Sequence, residues 1–127
     1  MRYLALDVGD RRVGLAVGED TFGLVRPLPT VRRRNLEADL AAIRAQATRE
    51  EAERLVIGLP LTLRGERGPQ AQRVERFAEA CERVVGLPVE LYDERFTTAE
   101  AIARGAPDLD AGAATILLED FMRSRRA

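Results

Sequence analysis

The stretch "YLALDVGDRRVGLAV", residues 3–17, decides how the rest of the chain is read. Leu4, Leu6 and Val8 alternate onto one face. After the short turn "GDRR", Val13, Leu15 and Val17 repeat the alternation, which is the pattern of two strands in a hairpin. Asp7 interrupts it. A carboxylate inside such a run loses water, at a cost that a cation or hydrogen-bond donors must offset. Asp7 is therefore the first candidate functional residue, and its plainer alternative is a pair with a buried arginine.

Further along, "FGLVRPLPTV" gives a third, weaker strand ended by Pro27 and Pro29. Asn35 is placed to cap a helix with the apolar stripe Leu36, Leu40, Ile43 and Ala47. "RLVIGLP" reads as a strand buried on both faces, and "LTLRGERG" as a polar, glycine-bearing loop. Pro69 opens a second helix with Val74, Phe77, Ala78, Cys81, Val84 and Val85 inward, so Cys81 reads as a core residue. "VELYD", residues 89–93, is the next strand, and Thr97 with Glu100 forms a capping box for a short helix. Residues 110–123 make the last helix, burying Ala114, Leu117, Leu118 and Phe121. The order βββαβαβαα implies an α/β fold: a mixed sheet in which an antiparallel hairpin joins parallel strands, with helices on both faces.

At 127 residues the chain is expected to form one domain, 1–127. No apolar run is long enough to span a membrane, a strand begins at once, and there is one cysteine, so a cytoplasmic protein is expected. With no histidine and one cysteine, the common zinc sites cannot be built, nor can Ser-His or Cys-His nucleophile pairs. All 20 basic residues are arginine, which excludes Schiff-base chemistry and lysine-bearing phosphate loops. Carboxylates, arginines, hydroxyls and bound metal remain. The net charge of −1 conceals +3 in residues 1–34, −7 in 35–120 and +3 in 121–127. The two basic ends would make a phosphate-binding surface if they met in space.

In open α/β sheets, sites form beyond the carboxyl ends of parallel strands. Asp7 ends the first strand, Asp93 and Glu94 end the last, and Asp108 and Asp110 begin the final helix. Three carboxylates around one point repel unless a hard divalent cation such as Mg²⁺ joins them. Two such ions about 4 Å apart would clamp the attacking and leaving oxygens of a phosphodiester. The plainer alternatives are that Asp93 or Glu94 pairs with Arg95 and that Asp108 or Asp110 only caps the helix.

Four blocks, "LALDVGDRRVGLAV", "VIGLPLTLRGERG", "LYDERFTTAEA" and "LDAGAATILLEDF", resemble in order and spacing the signature of the YqgF (RuvX) family. The resemblance implies a ribonuclease H-like fold and a metal-dependent nuclease using Mg²⁺ or Mn²⁺. It maps the acidic site onto Asp7, Glu94 and Asp110, with Asp93 beside the second. The family is linked to maturation of the 5′ end of pre-16S rRNA and to Holliday junction resolution. The rRNA role ranks first, because the resolvase label rests on fold analogy. Asp10 stands where the family commonly has Thr or Ser, and "RGAPD" replaces its lysines before the last acidic block, with Arg104 available in their place. Arg11, Arg12, Arg64, Arg67 and Arg95 are expected on the nucleic-acid backbone, each with the alternative of a surface ion pair. Structured RNA or branched DNA is the expected partner, and a homodimer stays open. Two rivals stand beside this reading: an actin-like ATPase, which needs two such domains, and a ribosome-assembly scaffold with little catalysis.

Overall fold

The computed structural model describes residues 1–93 and 109–126. β1 (Arg2–Val8) and β2 (Arg12–Glu19) form the expected antiparallel hairpin, with Asp7 opposite Gly14 and Val8 opposite Val13. β3 (Leu24–Arg32) continues antiparallel along β2. On the other side of β1, β4 (Arg54–Leu59) and β5 (Val89–Asp93) run parallel to it, so the sheet order is β3-β2-β1-β4-β5. Three helices cover it: α1 (Leu36–Arg49), α2 (Pro69–Val85) and α3 (Leu109–Arg126).

Alternation along the strands divides the buried side chains between two cores. Leu4, Leu6, Leu15, Leu55 and Ile57 face α1 and α2, making the larger core with Ile43, Phe77 and Cys81. The opposite face carries Tyr3, Val56 and the small residues Ala5 and Ala16, against which Ala114, Leu117, Leu118 and Phe121 of α3 are buried. At Gly18 the approach is closest: a Cβ there would lie 2.9 Å from the Leu24 carbonyl oxygen and 3.0 Å from Leu118 Cδ2. Burial of each large apolar side chain contributes roughly 1.5–3 kcal/mol. The Asn35 side chain accepts from the Ala38 N–H at 2.8 Å, satisfying one first-turn donor of α1. α2 begins with Pro69 and closes on Gly86 in the left-handed conformation (φ 80°), which glycine adopts without a Cβ clash.

Three expectations differ from the structure. β3 runs through Pro27 and Pro29 because it is an edge strand, where a missing N–H leaves no buried acceptor unpaired. Between the Val13–Val31 and Leu15–Leu28 pairs, Pro29 and Thr30 oppose Gly14 alone, a bulge that absorbs the second proline. Leu36 and Val84 sit at the margins of their stripes and are exposed. The short helix expected at Thr97 and Glu100 lies outside the described residues. Among the described residues, no helix is long and apolar enough to cross a membrane.

Candidate functional site

Asp7 is half-buried, one residue from the end of β1. Tyr3 and Ala5 belong to the core under α3, so alternation puts Asp7 on that same face. Gly14 lies directly across from it in β2. In β4, one step beyond the Leu6–Ile57 pair, comes Gly58, which is level with Tyr92 of β5. Glycines thus flank Asp7 on both neighbouring strands. Strand glycines of this kind mark places where a ligand approaches the backbone closely.

α3 starts toward the same end of the sheet. Phe121 packs edge-on against Tyr3 and Tyr92, with ring centroids 5.2 and 5.8 Å apart, near the start of β1. From Phe121 back to Asp110 the helix rises about 16 Å, and from Tyr3 to Asp7 the strand rises about 13 Å. The first turn of α3, with Asp110, therefore lies toward the Asp7 end. Asp93 goes elsewhere: Tyr92 packs under α3 and Val89 on the opposite core, so alternation sends Asp93 with Val89 and Leu91 to the α2 face. Glu94, Arg95, Arg104 and Asp108 lie outside the described residues. Among the described residues, no three His, Cys, Asp or Glu side chains cluster as metal ligands.

The turn after Asp7 is tightly held. Gly9 N–H donates to the Arg12 carbonyl at 2.8 Å, closing the hairpin. Arg33, at the end of β3, clasps that turn twice: its backbone N–H donates to the Arg11 carbonyl at 2.8 Å, and Nη1 donates to the Gly9 carbonyl at 2.9 Å. Its Nε donates to Asp39 Oδ2 at 3.2 Å, and its guanidinium stacks over Phe77 at 5.0 Å. Asp39, only 2% exposed, also accepts from Arg34 N–H at 2.9 Å. Sequence reasoning missed this pair. Its signal was Asp39 itself, a charge on the apolar stripe of α1 that needs a buried partner.

The expected phosphate contacts are spread over this end of the sheet. Arg11 and Arg12 are exposed on the turn. The loop after β4 is folded on Thr62, whose carbonyl accepts from Gly65 N–H at 2.8 Å and whose hydroxyl accepts from Glu66 N–H at 3.0 Å; Arg64 is exposed on it. Arg67 donates through Nε and Nη2 to Glu75 Oε1, which pushes its guanidinium pKa further up. The C-terminal basic end does not join them. Arg125 pairs with Glu90 at 3.0 Å and stacks on Phe121, near where β1 begins rather than where it ends.

Sheet order and helix placement together define a ribonuclease H-like fold. The fold matches that of Thermus thermophilus RuvC in complex with a Holliday junction substrate, with a TM-score of 0.59 and 20% identity over 100% of this chain and 96% of that one. It also matches a Fowlpox virus resolvase in complex with Holliday junction DNA, with a TM-score of 0.62 and 12% identity over the whole of both chains. At such identities the likeness is one of fold. Residues 1–124 match the family model RuvX, described as Holliday junction resolvase, and the chain belongs to this family of nucleases. A relative from Anaeromyxobacter sp. (strain Fw109-5), named "Putative pre-16S rRNA nuclease", is 43% identical over all of both chains. One of the same name from Chloroflexus aurantiacus is 40% identical over 98% of this chain and 88% of its own.

Proposed function

We propose that the chain hydrolyses phosphodiester bonds in the 5′-end processing of pre-16S rRNA, using Mg²⁺ or Mn²⁺ held by Asp7, Glu94 and Asp110. The observation that carries this reading is Asp7, a half-buried carboxylate between two strand glycines at the end where β1, β4 and β5 all finish. The donor set fits a hard divalent ion, because it offers carboxylate oxygens only. Such an ion supplies positive charge for the attacking and leaving oxygens of the phosphodiester.

The chain's own residues contribute position. The Arg33 clasp holds the turn that follows Asp7, and Asp110, in the first turn of α3, would join it from the α3 side. Arg11, Arg12 and Arg64 are exposed, and their planar forks suit phosphate oxygens. Arg67 joins them by exchanging Glu75 for phosphate, at little cost for an exposed pair. Arg95 enters the reading through its place beside Glu94. In this reading residues 1–127 act as one cytoplasmic domain.

The names of the relatives favour RNA as substrate. The junction-bound neighbours favour the second reading, a resolvase, which would act as a homodimer because symmetric cutting needs two sites related by a two-fold axis. The test offers a 5′-extended 16S precursor and a four-way DNA junction side by side with Mg²⁺ or Mn²⁺. The expected result is cutting of the RNA, with Asp7→Asn losing more than the roughly 10–100-fold that outer-shell changes cost while still binding RNA. Equal cleavage by Asp7→Asn would sink the ion site. Paired cuts confined to the junction would make the resolvase reading first.

A further inference from the structure

We infer that a cleft between the Asp7 turn and α2 is a phosphate-binding subsite for the flanking nucleic-acid strand, an inference that rests on the nuclease reading above. The cleft encloses about 410 Å³ and is lined by Val8, Gly9 and Asp10 of the turn, by Arg33, and by Arg73 and Arg76 of α2. It opens on the side of the sheet opposite α3, directly behind the turn that follows Asp7.

Its charges are not equivalent. Arg33 is committed to Gly9, Asp39 and Phe77. Arg73 and Arg76 are exposed and lie three residues apart, on one face of α2. Arg73 donates to the neutral Gln70 side chain at 2.6 Å, and Arg76 has no ion pair among the described residues. The acids of α2 are elsewhere: Glu75, Glu79 and Glu82 line a separate groove toward β5. α2 therefore turns positive charge toward the Asp7 turn and negative charge away from it. Among the described residues Asp10 is the one carboxylate lining the cleft, and the two arginines outweigh it. The start of α2 adds to this, since its cap residue Gly68 offers no side-chain acceptor for the first-turn N–H groups.

Two exposed guanidinium forks with no acidic partner among the described residues match the phosphodiester backbone, which presents paired anionic oxygens at every step. The ring of Phe77 is covered by Arg33, so no aromatic of the described lining offers that face for base stacking. A strand reacting over Asp7 would cross Gly9 and Asp10 at the sheet end and reach Arg73 and Arg76 next.

The test is RNA binding, read by fluorescence anisotropy on a labelled single-stranded RNA in EDTA across a KCl series. Wild type is compared with Arg73→Gln/Arg76→Gln and with Arg44→Gln, an exposed α1 change that serves as charge control. The expected result is a slope of log K against log[salt] shallower by about 0.7 per lost contact, or about 1.4 for the pair. Arg44→Gln should track wild type, and the melting temperatures of all three proteins should coincide. The cleft assignment falls if the double variant keeps the wild-type slope, or if Arg44→Gln loses as much as one cleft arginine. If wild type binds no RNA at low salt, with or without Mg²⁺, the nuclease reading falls together with it.

Discussion

Replacing Arg33 with Met probes the clasp around the Asp7 turn, and its cost follows from Asp39. That carboxylate is 2% exposed and accepts from two donors, Arg33 Nε and Arg34 N–H. Arg33→Met leaves the charge buried with one backbone N–H, and removing one partner of a buried ion pair costs about 3–5 kcal/mol. The Arg33 side chain is 27% exposed, so water reaches the vacated position and the lower end applies. The Gly9 carbonyl finds water as well, and Met keeps a sulfur contact with Phe77 in place of the cation–π stack. We expect a loss of about 3 kcal/mol, a drop in melting temperature of roughly 10–15 °C for a domain of this size. Arg33→Met/Asp39→Leu leaves no buried charge and should be more stable than Arg33→Met alone. Urea titration with unchanged m-values is the assay. A loss below about 0.5 kcal/mol for Arg33→Met, as at an ordinary surface site, would refute the reasoning, as would strict additivity in the double variant.

Gly18→Ala should destabilise by about 1–3 kcal/mol in thermal melting, because the new methyl meets the Leu24 carbonyl at 2.9 Å and that backbone cannot yield; an unchanged melting temperature would contradict the close seating of β3 and α3. The Cys81 thiol is buried, and burial pushes its pKa up to about 12, against a slight opposing pull from Arg33. Native protein should resist thiol reagents at neutral pH, with labelling that tracks unfolding in urea; labelling of the folded protein at a free-thiol rate would contradict the burial. Since the folded pKa lies above the ordinary value of 9.0, the unfolded chain loses its proton first. Stability should therefore be intact below about pH 9 and fall between about 9 and 12, and Cys81→Ala should remove that part of the slope.

Elements governed by local alternation or periodicity were legible in the sequence. The strands of the opening hairpin and the α2 stripe around Phe77 and Cys81 follow from spacing alone, because one face of each is wholly buried. β3 was misjudged because a proline ends an interior strand but not an edge strand, and edge position is a property of the whole sheet. Leu36 and Val84 were misjudged at stripe margins, where one residue of helix rotation changes burial. The Asp39–Arg33 pair was half legible. A charge on the α1 stripe announced a partner, but three consecutive arginines gave no reason to choose Arg33 until β3 placed it beside Gly9.

The site divides along the same line between local and non-local information. Asp7 announced itself because a strand carboxylate is anomalous in its own segment. Its glycine flanks did not, since Gly14 and Gly58 come beside it only through registers with two other strands. Asp93 and Glu94 were both attached to one site by their adjacency, yet the packing of Tyr92 under α3 sends Asp93 to the α2 side, and Glu94 lies outside the described residues. At the carboxyl ends of the strands, Asp7 faces α3, while the arginines of α2 line the cleft on the opposite face. On the proposed reading, a nucleic-acid strand crossing that end meets ion-holding carboxylates on one face and bare guanidinium groups on the other. Carboxylates repel phosphate when no cation is present, so the arginine side is where a strand would be held before the ion-dependent step. RNA binding should then survive EDTA while cleavage does not, and loss of both together would place the binding energy on the ion instead.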